Sequence, residues 1–487
     1  MMRPTLTLTL LTLALAGCAI GPDYQRPALP TDTRFHAPLP QAHDGQVASL
    51  SNWWAAWNDA ALTTLIDQAQ AHNPSVAQAA ARIREARATV NGQTAVLFPA
   101  FTARGADTRS KGGMQGNPFA APGELQHQRS GSIDAIWEFD VVGGARRARE
   151  ASTSRLSART ADWHDARVSM AAEVAMQYVN LRTCEVLLTG YDVDVASRAK
   201  TADLTQKKAR AGLEAPANAA LAEASVAEAR ARRVAQATEC DLTVKALVAL
   251  TGLPEDALRT TLRPGTARLP GPRSFAVAAV PAGLLEQRPD LVSAEAETIA
   301  AGAEIGVALA DRFPRLTLTG TIGTTEFLGA SAASAGAFAG RSWSYGPALS
   351  LPLFDFGRRA AQVDVQRARF EGAVAAYRGK VAAAVREVEE ALARLHGAQA
   401  RTADADKALS GYRSFLNANE ARVHAGAGNL PELEEARRSV VAAQGVAVGV
   451  ARERLAAWIA LYKAVGGGFT TTSPDTPSPS LRTADAS

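Results

Sequence analysis

The sequence predicts a mostly helical protein that also carries four strands suited to a membrane β-barrel. Three observations lead to this fold class. After Gly144, the stretch to about Arg210 has no proline and a single glycine, and the chain after Arg358 has the same helical character. Each stretch follows a segment in which apolar and small residues alternate, the pattern of a strand with two unlike faces. This order occurs twice, which indicates an internal duplication.

The composition narrows the class of protein. Among 487 residues, aromatic side chains make up only 6%, which favours closely packed helices over a bulky core. The charges of the 52 basic and 48 acidic residues nearly cancel. The sequence has no basic stripe with interleaved aromatic residues, so we do not expect a nucleic-acid partner. The 7 histidines have no metal-ligand spacing, and no nucleophile elbow or phosphate-binding loop occurs. We therefore predict no metal, no cofactor and no enzymatic activity.

The N-terminus resembles the export signal of a bacterial lipoprotein. A basic residue and a short apolar run precede Leu-Ala-Gly-Cys, and the run is too short to cross a bilayer as a helix. The resemblance implies that residues 1–17 are removed and that Cys18 carries a covalent lipid. Because Ala19 rather than aspartate follows, it also implies the outer membrane. The alternative is an ordinary signal peptide with a coincidental cysteine. Residues 18–50, which begin proline-rich, are predicted to be an extended tether.

Residues 51–270 are predicted to form the first of two repeats. Three closely spaced tryptophans near the start of this repeat, Trp53, Trp54 and Trp57, are interpreted as packing the first helix rather than as a binding site. A strand opens after Phe98-Pro99. The predicted elements are helices at 60–71 and 74–95, strands at 100–108 and up to Phe139, a helix at 144–210 about 100 Å long, and a helix at 217–250.

Residues 271–465 repeat this order at an offset of about 215 residues. Phe313-Pro314, Asp355 and Gly426 correspond to Phe98-Pro99, Asp140 and Gly212. Residues 466–487 are predicted to be a disordered tail. The predicted elements are a helix at 289–312, a strand at 316–322, a strand with Trp343, Tyr345, Pro347, Leu349, Leu351 and Leu353 on one face, a long helix from Arg358 with a seam at Val381, Val385, Val388, Leu392 and Leu395, and a helix at 431–465.

Four such strands are too few to close a β-barrel in a membrane. Each is long enough to cross an outer membrane when tilted and has one uncharged apolar face. An open sheet edge in lipid leaves backbone groups unpaired at several kcal/mol each. Even eight strands make a barrel that is filled by its own side chains. Several copies must therefore pool their strands, and three copies would supply twelve. The alternative is a soluble helical bundle with short hairpins, which leaves the lipid signal and the paired strands unexplained.

These features together resemble the outer membrane factor family, the TolC-like efflux proteins, and within it the lipoprotein OprM/NodT branch. The motif after the cysteine, Gly-Pro-Asp-Tyr-Gln-Arg-Pro at 21–27, the Phe-Pro strand openings and the duplicated long hairpins carry the resemblance. It implies a homotrimer with a twelve-stranded barrel in the outer membrane and a helical tunnel in the periplasm. It also implies a periplasmic adaptor, an inner-membrane pump of the resistance-nodulation-division type, and export of small molecules. Alternatives are an exit duct for type I protein secretion and a non-conducting structural lipoprotein.

The resemblance also implies a periplasmic gate at the hairpin turns. The family motif is a glycine followed six and nine positions later by acidic residues, here Gly426, Glu432 and Glu435. In a trimer these would form rings of six carboxylates, which repel one another and attract cations. The alternative is that the acidic residues only favour the positive end of a helix dipole. In the other hairpin, Asn218 follows Gly212 by six positions.

Two details of the gate depart from the family pattern. The tyrosine and arginine that latch some members closed are absent, because Val423 and Gly428 stand in their places. Arg422 and His424 are nearby substitutes, so the chemistry of the latch stays open.

Two cysteines remain. Cys184 and Cys240 lie about equally far from Gly212 and can face each other across an antiparallel pair of helices. A disulfide is permitted in the periplasm, but small buried thiols are the commoner case and are the favoured interpretation.

Overall fold

The structure, a computed structural model, describes residues 19–27, 36–37, 53–111, 125–271, 288–329 and 338–469. Cys18, the predicted signal peptide, most of the predicted tether and the tail after residue 469 lie outside these ranges. In chain order the elements are α1 (Ala60–His72), α2 (Pro74–Ala95), β1 (Ala100–Lys111), β2 (Leu125–Phe139), α3 (Gly144–Arg210), α4 (Pro216–Thr251), α5 (Glu255–Leu262), α6 (Pro289–Ala310), β3 (Arg315–Gly329), β4 (Phe338–Ser350), α7 (Arg358–His424) and α8 (Leu430–Ala464).

The same local chemistry starts both long helices, as the repeat predicts. α3 and α7 each have 67 residues. The carboxylate of Asp140 accepts hydrogen bonds from the backbone N–H groups of Ala145 and Arg146 at 3.0 and 2.9 Å. Asp355 accepts from Gly357 and Arg359 at 3.1 and 3.3 Å. Each aspartate thus satisfies backbone donors that a helix start leaves free and lies at the positive end of the helix.

The structure corrects several predicted boundaries. β4 ends at Ser350, so Leu351 and Leu353 lie beyond the strand. Pro352 has no N–H to continue a ladder, which is consistent with the early end. All four strands are longer than predicted on at least one side, and α6 ends at Ala310 rather than at 312.

The short helix α5 was absent from the prediction. It begins after Pro254 with two acidic residues in its first turn, and its Leu258 and Leu262 are buried. The fully buried guanidinium of Arg182, on α3, donates to the carbonyl oxygens of Leu262 and Pro264, both at 2.8 Å. A long-range contact therefore defines where this short helix ends.

The chain divides into two compact units, and each takes segments from both repeats. Among the described residues, the sheet unit comprises 19–27, 82–111, 125–159, 294–329 and 338–377. It contains one antiparallel sheet in the order β1-β2-β3-β4, in which β2 of the first repeat pairs with β3 of the second. The alanines Ala151, Ala300 and Ala303 form a small buried cluster where α3 and α6 pack.

The described part of the helical unit comprises residues 36–37, 53–81, 160–271, 288–293 and 378–469. Its core brings together α1, α4, α5, α8 and the parts of α3 and α7 that belong to this unit. The three tryptophans are buried in it. Trp53 stacks on the ring of Tyr462 at 5.0 Å between ring centroids, Trp54 also contacts that ring, and Trp57 packs against the other two tryptophans. Their predicted structural role is thus confirmed. The predicted seam is also in the core, since Val381, Val388, Leu392 and Leu395 are buried.

The two cysteines form a disulfide between α3 and α4, with Cα atoms 5.5 Å apart. The favoured interpretation as free thiols was therefore wrong. The antiparallel geometry that places Cys184 opposite Cys240 brought the sulfurs within bonding distance, which spacing alone does not decide.

Candidate functional site

The four-stranded sheet has one apolar face that is open to its surroundings. The pairing register places Ile133, Ile322 and Trp343 directly opposite one another, and likewise Phe101 and Ala135. Directly opposite residues point to the same side of a sheet. Six large side chains on this face are between 54% and 79% exposed, namely Phe101, Ile133, Ile322, Trp343, Tyr345 and Leu349.

This apolar face is bounded by polar residues at the hairpin end of β1 and β2. There Asp107 is bonded to His127 at 2.5 Å and to Arg129 at 3.2 Å. Between residues 133 and 139 the apolar band measures about 20 Å along the strand. Aromatic side chains lie at its margin, where the rings of Trp343 and Tyr345 stack with centroids 5.9 Å apart. A band of this height with aromatic margins is typical of a surface that faces lipid.

The opposite face of the sheet is mostly small and polar. Asp134 on β2 accepts a hydrogen bond from the hydroxyl of Thr321 on β3 at 2.6 Å, and Arg104 on β1 lies 3.6 Å from the same carboxylate. Ser132 and Ser344 share this side, while Ile136 is an apolar exception. The face therefore suits contact with water.

Both lateral edges of the sheet are open in the described chain. β1 pairs with β2 alone and β4 with β3 alone, so the outer side of each edge strand has no neighbour among the described residues. The strands have 12 to 15 residues, more than a tilted membrane strand requires. No described helix is sufficiently long and apolar to span a membrane.

In the helical unit, the two predicted hairpin turns have the same backbone geometry. Gly212 and Gly426 have φ values of 75° and 76°, in the left-handed region that glycine adopts without strain. After each glycine, the next N–H bonds back to the carbonyl five residues earlier, Leu213 to Lys208 and Ala427 to Arg422, both at 2.9 Å. This pattern terminates α3 and α7 and reverses the chain.

The two turns line one cleft of about 790 Å³. Asn218 and Gly426 both line it, so the structure brings these two predicted gate residues together. The side-chain amide of Asn218 donates to Glu214 at 2.6 Å within the same turn. Glu432 and Glu435 are not among the residues that line the cleft.

Each predicted gate glutamate faces an arginine. Glu432 lies 3.3 Å from the guanidinium of Arg422, across the turn between α7 and α8, and Glu435 lies 2.8 Å from Arg438 on its own helix. The backbone N–H of Glu432 donates to the side chain of Asn429 at 2.8 Å, which caps α8. Both carboxylates are about half exposed or more, so screening by water weakens these pairs.

Sequence reasoning missed a buried charged network close to the turns. Arg198 on α3 binds Asp194 through two contacts of 2.9 Å and also contacts Ser225 and Glu434. Glu434 on α8 accepts from Ser225 at 2.6 Å and from Arg437 at 2.8 Å. Arginines and acids at helical spacing resemble solvated pairs in a sequence, and only the packing of α3, α4 and α8 shows that they are buried. Among the described residues, no group of three or more histidine, cysteine or acidic side chains is arranged to hold a metal ion.

Comparison with known proteins agrees with this architecture. The family model for outer membrane efflux proteins matches residues 65–253 and 280–467. The chain is 30% identical over 466 residues to the outer membrane protein OprJ of Pseudomonas aeruginosa, covering 94% of this chain and 95% of OprJ. It is 27% identical over 474 residues to the solvent efflux pump outer membrane protein SrpC of Pseudomonas putida, covering 94% and 97%. The solved outer-membrane channel OprN superposes with a TM-score of 0.78 at 27% identity, covering 92% of this chain and 99% of that one. The chain therefore belongs to the outer membrane efflux protein family, whose members are channels of the outer membrane rather than enzymes.

Proposed function

We propose that three copies of this chain assemble into a passive exit channel. Their twelve strands would close a barrel in the outer membrane, continuous with a helical tunnel in the periplasm. Small molecules would enter from an inner-membrane pump of the resistance-nodulation-division type through a periplasmic adaptor protein. The observation that carries this proposal is the combination of an exposed apolar sheet face with two open sheet edges.

The physical argument concerns solvation of the sheet. Six large apolar side chains in water would be unfavourable, whereas in lipid they are matched to their surroundings. In lipid, however, the open edges of β1 and β4 would leave backbone groups unsatisfied at several kcal/mol each. Pairing β4 of one copy with β1 of the next satisfies both edges. Twelve strands also exceed the eight that make a barrel filled by its own side chains, so a lumen remains.

The polar face would then line the lumen. Its small hydroxyl side chains, such as Ser132, Thr319 and Ser344, would form a generic polar lining rather than a set of groups that recognises one cargo. This supports passive conduction, with selection left to the pump. The relationship to SrpC, which is named for a solvent efflux pump, supports small toxic molecules as the cargo class.

The gate belongs to the same proposal. We place it at the two hairpin turns, with Gly212 and Gly426 reversing the chain and Glu432, Glu435 and Asn218 as the polar residues. Arg422 and Arg438 offset the charge of the two glutamates within each copy. The rings would therefore attract multivalent cations less strongly than six bare carboxylates.

The lipid is the last part of the proposal. Cys18 would carry covalent acyl chains that anchor the chain to the outer membrane and reinforce a location that the sheet already favours. No other bound group is needed for passive transport.

Edge pairing can be tested by cysteine cross-linking. Because β1 and β4 are not neighbours within one chain, a disulfide between them can form only between copies. Ala103→Cys on the apolar face of β1 is combined in turn with Trp343→Cys, Tyr345→Cys or Pro347→Cys on the same face of β4. One of these registers should yield covalent dimers and trimers in membranes. Arg104→Cys, on the opposite face, is the matched control and should not cross-link.

Single-channel conductance tests the proposal that the protein is a transport channel. Purified lipidated protein should form SDS-resistant trimers and give steady single-channel currents in planar bilayers without an energy source. A monomer that conducts nothing and does not cross-link in any register would instead support the structural lipoprotein.

A further inference from the structure

The residues after the lipid-attachment cysteine are not a free tether. Residues 19–27, here called the strap, have no helix or strand, yet they lie against α3 and α6 in the sheet unit. The backbone N–H of Ile20 donates to the carbonyl of Val142 at 3.0 Å. The side chain of Arg147 is almost fully buried and donates to the carbonyls of Ile20 and Gly21 at 3.3 and 3.4 Å.

Three glycines make the fit close. A Cβ at Gly306 on α6 would lie 2.6 Å from the carbonyl oxygen of Ile20. A Cβ at Gly21 would lie 2.7 Å from the Cα of Gly306, and Gly21 also has a φ of +113°, which disfavours other residues. A Cβ at Gly143 would lie 2.7 Å from the Cα of Ala19. At these three glycines the strap therefore lies directly against backbone atoms.

Charged groups complete the match. Arg147 donates to the carboxylate of Asp23 at 2.8 Å, and this hydrogen bond is the main reason that the pKa of the arginine is raised. Arg26 binds Glu295 on α6 through two contacts of 2.7 Å, and the hydroxyl of Tyr24 donates to the same carboxylate at 3.2 Å. Two-contact arginine–carboxylate pairs add directional specificity to charge attraction.

We propose that Gly143, Arg147, Glu295 and Gly306 form a built receptor for the chain's own segment 19–26, and that its docking fixes where the lipid on Cys18 enters the membrane. A flexible tether of the 32 residues from 19 to 50 would spread over about 30 Å. Docking removes that freedom because it holds Ala19 next to Gly143, which is four residues after the last residue of β2. Adjacent Cα atoms are about 3.8 Å apart, so docking of Ala19 would hold the lipid-bearing residue close to this junction. The placement of the lipid rests on the proposed function, whereas the docking does not.

The docking is tested with a spin label on Gln25→Cys in the full-length lipidated protein. The other cysteines are either acylated or in the disulfide, so the label reacts at one place. The label should be strongly immobilised, and Gly306→Ala should speed its motion about tenfold. Alanine favours a helix more than glycine does, so this variant keeps α6 intact. Gly302→Ala is the matched control, because its Cβ meets only the ring of Phe370 at 3.5 Å.

Equal label mobility in Gly306→Ala and Gly302→Ala would overturn the docking proposal. Arg147→Ala gives a second test, since it removes the hydrogen bonds from Arg147 to Ile20, Gly21 and Asp23 without adding a methyl group, and it should mobilise the label as well. The label should stay immobilised in a Cys18→Ser protein exported with a signal peptide that does not direct lipidation. This result would uphold the receptor even if the channel proved inactive.

The position of the lipid is measured in a separate cross-linking experiment. Cells supplied with a fatty acid that carries a photoreactive diazirine incorporate it at Cys18, and illumination cross-links the acyl chain to its neighbours. In the parent protein the cross-links should concentrate in the tryptic peptide Ser130–Arg146, which contains the end of β2. In Gly306→Ala they should spread along the chain. The same distribution in both proteins would overturn the placement of the lipid while leaving the docking to the spin-label result.

Discussion

The guanidinium of Arg198 on α3 and the carboxylate of Glu434 on α8 form a direct ion pair in which both side chains are buried. The pair joins the first helical hairpin to the second. Asp194 accepts from Nε of the arginine, Ser225 accepts from the same Nη1 that contacts Glu434, and Arg437 binds the second oxygen of the glutamate. The two hairpins are thus tied together inside the helical unit, near the turns that we propose as the gate.

Breaking this pair should lower stability strongly. Glu434→Gln keeps the size of the side chain but removes the buried negative charge that Arg198 and Arg437 share, so that one carboxylate, Asp194, stays bound to Arg198. We expect the free energy of unfolding to fall by about 3–5 kcal/mol in a denaturant titration. Glu435→Gln, at the neighbouring exposed position, is the control and should change it by less than about 1 kcal/mol. Equal effects of the two variants would show that the network contributes no more than a surface pair.

The gate proposal predicts a change in cation block. Glu432→Ala combined with Glu435→Ala should weaken the block of single-channel current by cobalt ions, because six carboxylates of the trimer are removed. Arg422→Ala should do the opposite and strengthen the block, since it unmasks Glu432. Glu239→Ala, exposed on α4 away from the turn, is the control. Unchanged cobalt titrations in all variants would remove these glutamates from the gate.

The two faces of the sheet should respond differently to charge. Ile322→Arg places a cation on the proposed lipid face and should destabilise the membrane-inserted state by about 2–4 kcal/mol. Thr319→Arg, on the polar face of the same strand, should fold normally and reduce single-channel conductance. The measurements are the urea dependence of folding in vesicles and the current in planar bilayers. If Thr319→Arg proved the more destabilising, the assignment of the faces would be reversed.

The disulfide predicts sensitivity to reducing agents. It closes a loop with a sequence separation of 56 residues, so its loss should lower the free energy of unfolding by about 2–4 kcal/mol. A thermal melt with and without reductant measures the effect. The double variant Cys184→Ala with Cys240→Ala should melt at the lower temperature under both conditions. If the parent protein, denatured without reductant, reacted with two equivalents of a thiol reagent, that result would contradict the bond.

Asp165 predicts a pH dependence in the opposite direction from most carboxylates. Burial raises its pKa, and Asp290 nearby raises it further, while Lys463 and Arg288 act in the other direction. The native state therefore holds this proton more tightly than the unfolded chain does, so its contribution to stability is lost as the pH rises through the raised pKa. Asp165→Asn should increase the melting temperature at pH 7. The gain should shrink as the pH falls toward the ordinary aspartate value of about 3.9. A gain that is independent of pH would rule out this ionisation.

Local patterns were reliable where one segment decides its own structure. The proline-free stretch predicted α3 with its observed ends, because helix formation depends on propensity and on breakers that the segment itself contains. The alternation in β2 to β4 predicted which side chains share a face, since successive residues of a strand always point to opposite sides. The glycines at both hairpin turns were also visible, because a helix end with positive φ selects glycine.

Contacts between distant segments were not visible. The sequence alone determined the repeat, the long helices, the two-faced strands and the family to which the chain belongs. Only the tertiary structure decided that Cys184 reaches Cys240, that Arg198 and Glu434 are buried together, and that Gly21 rests on Gly306. The reason is that burial and pairing depend on which helices become neighbours. Oppositely charged residues at helical spacing give the same sequence pattern whether the ion pair is exposed to water or buried.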